Sequence, residues 1–195
     1  DAIIIGTGDR TNPNATDVDN CVYLIRDRAI AAYSSARPSS SECTDPDVVD
    51  VRCGWPISEA ALYDITDNDI ITGTGEEKIT AIESLRLADG WLFELPYAGE
   101  KSLASSFTID GKVYIPTFTP SDLVSDINSC VPRSGAGQMY VMDIYDGDRG
   151  VLTLGPIIPD TPTLYFTAEG NIVILPNLGS PGGGGGDCID CSCNP

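Results

Sequence analysis

The sequence predicts a mostly β protein, and three observations support that prediction. Two short alternating runs, 104–109 and 112–119, flank an Asp110-Gly111 pair that suits the two positive-φ positions of a type I′ hairpin turn. Further short runs of this kind follow Trp91 and are separated by turn residues. Glycine (20 residues) and proline (14 residues) are both frequent, which favours turns over long helices. A sandwich, a barrel and a propeller all fit this pattern, because no strict repeat selects one of them.

The N-terminal part of the chain is predicted to begin with two strands. Residues 2–5 form an apolar run that predicts a buried strand, and the alternating residues 21–27 predict a second one. The segment 34–55 is polar, and an irregular loop of that length is uncommon without a crosslink or a function. Residues 58–63 are predicted to form a helical turn.

The best helix candidate covers residues 76–88. Ile79, Ile82 and Leu85 recur at a spacing of three, which predicts an apolar packing face. The following pair, Asp89-Gly90, is a signal for the end of a helix. We interpret this element as a packing helix.

The rest of the chain is predicted to form strands and then a tail. The span 103–154 is long enough for one four-stranded propeller blade. Residues 179–195 contain five consecutive glycines and predict a flexible tether. The predicted strands are 90–95, 104–109, 112–119, 138–145, 151–154, 163–168 and 171–175.

The charge balance excludes several classes of partner and of chemistry. With 11 basic and 29 acidic residues the net charge is −18, which disfavours nucleic acid and anionic lipid as partners. No apolar run approaches the ~20 residues of a membrane helix, so no membrane insertion is predicted. Histidine is absent, which removes the commonest general base and makes a Ser-His-Asp triad within this chain impossible.

Seven cysteines suggest an oxidising compartment and disulfide bonds. Cys43 and Cys53 bracket a polar segment and are predicted to close a short loop. The odd count leaves one thiol free or bonded to another chain. Metal binding is a weaker alternative for the tail cluster, because a second C-x-x-C is missing. The pairing is open for Cys21, Cys130, Cys188, Cys191 and Cys193.

Two acidic runs are the metal candidates, and calcium is the possible cofactor. Alternating Asp and Asn side chains in a loop supply several of the six to eight oxygens that calcium takes. Neither run has EF-hand spacing, and the alternative is that these side chains cap turns. The candidate ligands are Asp64, Asp67 and Asp69 in the first run, and Asp143, Asp146 and Asp148 in the second.

Two kinds of side chain stand out besides these. Trp55 and Trp91 are both predicted to lie in the core, and Trp55, beside the cysteine-containing loop, is the one to test as a ligand platform. Glu100 and Lys101 are adjacent and could form an acid/base pair, but no nucleophile lies nearby in the sequence. We therefore expect them to cap or pair at the start of a strand.

Four motifs follow one another along the chain. The longest is GWLFELPYAGEKSLASSFTIDGKVYIPTFTP, at 90–120. The others are IIIGTGDR followed by CVYLIRD, at 3–10 and 21–27, then LYDITDN at 62–68, and GAGQMYVMDIYDG at 135–147. In this order they resemble the C-terminal half of the PilY1 family of type IV pilus biogenesis proteins, and the resemblance covers roughly residues 2–155.

The resemblance implies the C-terminal portion of a modified β-propeller at 1–178, with a helical, disulfide-bearing insertion at about 34–89. It also implies a non-enzymatic protein, exported through the periplasm to the cell surface, that acts in pilus assembly and adhesion. Its partners would be an upstream part of the same precursor, pilins or minor pilins, and a host or abiotic surface. The family's calcium loop, a D-x-D-x-D-G run, does not lie within this chain.

Two other functions stay open. One is a structural subunit of an extracellular filament or sheath, crosslinked through the tail cysteines at 188, 191 and 193. The other is a quinoprotein-type propeller enzyme, which would need a bound quinone, a stacking tryptophan and a catalytic aspartate. The sequence has no repeated tryptophan motif, which disfavours the enzyme.

Overall fold

A computed structural model of the chain describes residues 2–26, 57–67, 69–121, 135–168 and 172–175. These residues form a mostly β structure whose sheets do not close. The strands are β1 (Ala2–Gly6), β2 (Cys21–Arg26), β3 (Tyr63–Asp64), β4 (Gly90–Glu94), β5 (Phe107–Ile109), β6 (Lys112–Thr119), β7 (Ala136–Asp143), β8 (Arg149–Gly155), β9 (Thr163–Phe166) and β10 (Ile172–Leu175). The helices are α1 (Asp69–Thr72) and α2 (Glu76–Leu87), with a 3₁₀ turn at Glu59–Ala61.

One sheet has the strand order β1-β2-β4-β3, and β3 runs parallel to β4. A second has the order β5-β6-β7-β8 and is antiparallel throughout, while β9 and β10 pair as a separate hairpin. The chain divides into two compact units. One combines Asp1–Ile4 with Tyr23–Phe93, and the other combines Ile5–Val22 with Glu94–Pro195.

The first unit holds both helices and has its own apolar core. Arg26 ties α2 to the strands, because its Nη1 donates to the Leu85 carbonyl over 2.9 Å and its amide donates to Asp89 over 2.8 Å. Trp91 is fully buried, which confirms its prediction as a core residue. The core side chains of this unit are Leu24, Ile65, Ile70, Ala81, Leu85, Trp91 and Phe93.

Helix α2 forms where it was predicted, but its predicted apolar face is wrong. Leu85 is buried, yet Ile79 is 59% and Ile82 is 45% exposed, and Ala81 is buried instead. Three residues turn an α-helix by about 300°, so a spacing of three spreads side chains around the axis. A spacing of four, as between Ala81 and Leu85, keeps them on one face.

The helix-ending signal at Asp89-Gly90 has a different role from the predicted one. Helix α2 ends at Leu87, with Ala88 as an extended C-cap. Gly90 is the first residue of β4 and has φ 151°. A Cβ at Gly90 would lie 1.8 Å from the Leu24 carbonyl oxygen, so glycine permits a close approach of two strands.

Strand β1 forms, but the prediction that it is buried is wrong. Ile3 is 59% and Ile5 is 48% exposed. β1 is the terminal strand in its sheet order, so it packs beside one strand rather than two. An apolar run alone does not distinguish a central strand from an edge strand.

The second unit contains the hairpin that the sequence predicts most clearly. Asp110 and Gly111 have φ 50° and 72°, which confirms the turn, and Thr108 pairs with Val113 in register. The predicted strands of this unit form, but β5 is half as long as predicted and begins at Phe107 rather than at residue 104. The ends of the other strands shift by at most two residues. The core of this unit includes Val22, Leu95, Leu103, Val113, Ile115, Phe118, Met139, Tyr140 and Met142. Within the described residues, no helix is long and apolar enough to cross a membrane.

Candidate functional site

The segment 97–101 begins with a tight turn and ends where its backbone pairs with strand β6. It contains two buried charged residues, Glu100 and Lys101. The Glu100 amide donates to the Tyr97 carbonyl over 2.9 Å. Lys101 then forms an isolated antiparallel bridge with Phe118, with backbone hydrogen bonds of 2.9 and 2.8 Å. The side chain of Glu100 and that of Lys101 each have different partners, although both residues lie on this one backbone segment.

The Glu100 side chain is fully buried against β6 and β7. The Thr117 hydroxyl donates to its Oε1 over 2.6 Å, and the Tyr140 hydroxyl donates to its Oε2 over 3.3 Å. Burial raises the pKa of Glu100, and the hydrogen bonds from Thr117 and Tyr140 oppose that rise. Burial and the adjacent Glu100 in turn raise the pKa of Tyr140.

Lys101 is 2% exposed and extends toward the polar loop before β2. Its Nζ donates to the Gly99 carbonyl over 2.7 Å and to the Ala15 carbonyl. Burial lowers the pKa of Lys101, and the charges of Asp17 and Asp9 act in the opposite direction. Lys101 therefore caps backbone carbonyls, as expected, but it does not do so as the partner of Glu100.

Asn20 joins the same loop to the backbone of Glu100. Its Nδ2 donates to the Glu100 carbonyl over 2.8 Å and to the Val18 carbonyl over 3.2 Å. The Thr7 hydroxyl donates to Asn20 Oδ1 over 3.3 Å. We call the five residues Asn20, Glu100, Lys101, Thr117 and Tyr140 the Glu100 cluster.

The register of β6 and β7 extends the polar face beyond this cluster. Thr117 pairs with Gln138, and Thr119 lies two residues further along the same face of β6. Thr119 Oγ1 and Gln138 Oε1 are buried atoms that have no hydrogen-bond partner among the residues that the structure describes. Within the cluster, Glu100, Lys101 and Tyr140 carry groups that can bind and release a proton.

The acidic runs predicted as calcium candidates use carboxylates to cap turns. Asp64 accepts a hydrogen bond from the Thr66 amide over 2.8 Å, Asp143 from Tyr145 over 2.8 Å, and Asp146 from Asp148 over 2.9 Å. Asp67 and Asp69 are exposed, and Asp69 begins α1. Across the described residues, no group of three or more carboxylate or thiol side chains is arranged to hold a metal ion. The calcium site stays a prediction.

The disulfide predictions lie almost entirely outside the described residues. Cys21 begins β2, and its carbonyl accepts hydrogen bonds from the Thr7 amide and hydroxyl. Trp55 also lies outside the described residues, as do Cys43, Cys53, Cys130, Cys188, Cys191 and Cys193.

The sequence interpretation missed the burial of Glu100 and Lys101. One signal was available, because Thr117 follows Val113 and Ile115 at a spacing of two on the inward face of β6. A polar residue in an inward series needs a partner.

Comparisons of the chain with protein-family models, with curated proteins and with solved structures find no match.

Proposed function

We propose that this chain is a non-enzymatic, PilY1-like component of type IV pili that acts in pilus assembly and surface adhesion. The motifs behind the resemblance support this, because residues far apart within the longest one, 90–120, contact each other. The Thr117 hydroxyl donates to the Glu100 carboxyl group, and Lys101 forms a backbone bridge with Phe118. Motif residues that hold the fold together in this way favour a scaffold in common with the family that the motifs resemble.

The proposed scaffold is part of a modified β-propeller. Its support is the sheet β5-β6-β7-β8, a four-stranded antiparallel meander in chain order. A propeller blade has this strand count and this connectivity. The meander covers most of the span 103–154 in which one blade was predicted.

In this proposal the mechanism is recognition through loops and turns, with no bond chemistry. A rigid sheet presents the loops, and the exposed side chains on them contact pilins, minor pilins or a surface. Tyr145, in the β7–β8 turn, is 71% exposed and suits such a contact. The net charge of −18 suits an extracellular, strongly hydrated surface.

The assembly itself provides the first test. The native complex is purified without reductant, and its components are quantified by intact mass and by non-reducing peptide mapping. Pilins and a few copies of this chain are expected together. Many copies linked through Cys188, Cys191 or Cys193, with no pilins, would contradict the proposal and indicate a filament subunit.

The attachment of cells to a surface tests whether the β7–β8 turn takes part in recognition. Cells carrying Tyr145→Ser are expected to keep their pili but to attach less well. Tyr165→Ser is the matched control, because Tyr165 is 57% exposed but lies on strand β9. Equal attachment by both variants and the wild type would argue against recognition at this turn.

A further inference from the structure

The Glu100 carboxyl group is buried, and the structure shows no cationic partner for it among the described residues. Its hydrogen bonds come from two hydroxyl groups, those of Thr117 and Tyr140. The adjacent ammonium group of Lys101 instead donates to the carbonyls of Gly99 and Ala15. A buried carboxylate that no cation compensates favours its neutral form.

Among the described residues, the groups around Glu100 come from its own segment, from strands β6, β7 and β8, and from Asn20. The hydroxyl groups of Thr117 and Tyr140 donate to the two carboxyl oxygens, but burial outweighs these hydrogen bonds and disfavours the ionised form. Arg149 on β8 acts on Tyr140 through its charge. The titratable, charged or polar neighbours are Tyr97 and Lys101 on its own segment, Thr117 on β6, Gln138 and Tyr140 on β7, Arg149 on β8 and Asn20 before β2.

The same short segment holds the polar loop 9–19. Asn20 Nδ2 binds the Glu100 carbonyl, and Lys101 Nζ binds the Ala15 carbonyl. Gly99 packs so closely on this loop that a Cβ would lie 2.6 Å from the Ala15 oxygen. The Ser102 amide adds a hydrogen bond of 3.0 Å to the Thr7 carbonyl. The loop is thus attached to the backbone of Glu100 and to the side chain of the next residue, Lys101.

We propose that Glu100 is a proton-operated latch: the protonated carboxyl group holds segment 97–101 and loop 9–19 on the β6–β7 face, and ionisation releases them. This inference goes beyond the proposed function and does not depend on it. The attachment of the acidic, exposed loop 9–19 to the β6–β7 face would then depend on the pH of the medium.

The direction of the effect follows from proton linkage. Burial raises the pKa of Glu100 in the folded state above its unfolded value. The folded state therefore binds the proton more tightly, and this stabilisation is fully present below the ordinary glutamate range of about pH 4 to 5. This stabilisation is lost as the pH rises through the folded-state pKa. Above that pKa, the free energy of unfolding no longer changes with the protonation of Glu100.

Amide hydrogen exchange tests the latch on the folded chain. Protection factors, corrected for the intrinsic effect of pH, are measured from about pH 4 to about pH 8. The amides of Lys101 and Ser102 report on the segment, and that of Ala15, which donates to the Asn12 carbonyl, reports on the loop. In the wild type we expect these amides to lose protection by about tenfold or more as the pH rises. Amides of the β6–β7 ladder should change much less.

The variant Glu100→Gln keeps a buried side chain of the same shape without a titrating proton. We expect its protection factors at these amides to be independent of pH. Glu83→Gln, an exposed position on α2, makes the same chemical change and should follow the wild type. Equal pH dependence in the wild type and Glu100→Gln would overturn the latch. So would a loss of protection that is uniform across the β6–β7 ladder, because it would reflect global unfolding.

A second variant keeps the inference testable if Glu100→Gln does not fold. The Thr117 hydrogen bond favours the ionised carboxylate, so Thr117→Val should move the midpoint of the protection loss to higher pH. A midpoint that does not move would contradict the latch, because the titrating group would then not be Glu100.

Discussion

The β5–β6 hairpin and the segment 97–101 lie close together in the chain, but they are held in place by different kinds of contact. The hairpin pairs residues that are near in sequence, such as Ile109 with Lys112. The segment bonds to Ala15 and Asn20, which lie 86 and 80 residues away, and to Tyr140, 40 residues away. Its position therefore depends on the rest of the second unit being folded.

This difference indicates where mutations should have large effects. At the turn of the hairpin, a change of one exposed side chain should cost little. The segment contains two buried charged residues and binds the buried Asn20 amide, and each removed partner leaves another group unsatisfied. The four predictions below compare these regions, in order of decreasing effect.

Removing the Glu100 side chain should have the largest effect. Glu100→Ala leaves the buried hydroxyls of Thr117 and Tyr140 without their acceptor and opens a cavity. At about pH 5 we expect a loss of about 2–4 kcal/mol in the free energy of unfolding. Urea denaturation measures it, with the exposed Glu83→Ala as control. Equal losses in the two variants would show that the cluster contributes little to stability.

Two glycines with similar backbone angles compare the regions directly. Gly99 has φ 68° and Gly111 has φ 72°, so alanine is strained at both positions. At Gly99 a Cβ would also overlap the Ala15 carbonyl, whereas at Gly111 its nearest neighbour is the Tyr145 ring at 3.3 Å. We expect losses of about 2–3 kcal/mol for Gly99→Ala and about 1 kcal/mol for Gly111→Ala, by thermal or urea unfolding. The opposite order would refute the close packing of the loop.

Lys101→Met should have an intermediate effect. The variant keeps the apolar stem but loses the donors to the Gly99 and Ala15 carbonyls. We expect a loss of about 1–2 kcal/mol and faster amide exchange in the loop 9–19. Lys112→Met, at an exposed position on the hairpin, is the control. If exchange in the loop is unchanged, Lys101 does not hold it.

The smallest effect is expected at the β7–β8 turn. Asp143→Ala removes the acceptor for the Tyr145 amide and should cost about 0.5–1 kcal/mol. If Asp143 acts as a turn cap, thermal unfolding will show the same loss with calcium and with a chelator. A loss that is clearly larger in calcium would instead support the predicted calcium site.

The parts of the fold that the sequence predicts are those with local causes. The hairpin turn follows from Asp110-Gly111, and helix α2 from a run of helix-forming residues between turn signals. The exposure of the Ile79 and Ile3 side chains could not be predicted in the same way. Which face of a helix is covered, and which strand lies at an edge, depends on partners far away in sequence.

The candidate site was harder to predict for the same reason. Glu100 and Lys101 are next to each other, which suggests a pair, but successive side chains on an extended backbone point in opposite directions. Their partners, Thr117 and Ala15, become visible only in the folded chain. The acidic runs were easier, because a carboxylate that caps a turn bonds to an amide two residues away.

The central claim is that the long-range contact between Glu100 and Thr117 stabilises the second unit, and a double-mutant cycle tests it most directly. The free energies of unfolding of Glu100→Ala, Thr117→Val and the double variant are compared with that of the wild type at about pH 5. A shared buried contact predicts that the two changes are not additive, with a coupling energy of about 1–2 kcal/mol. Additive losses, with no coupling beyond error, would contradict the claim.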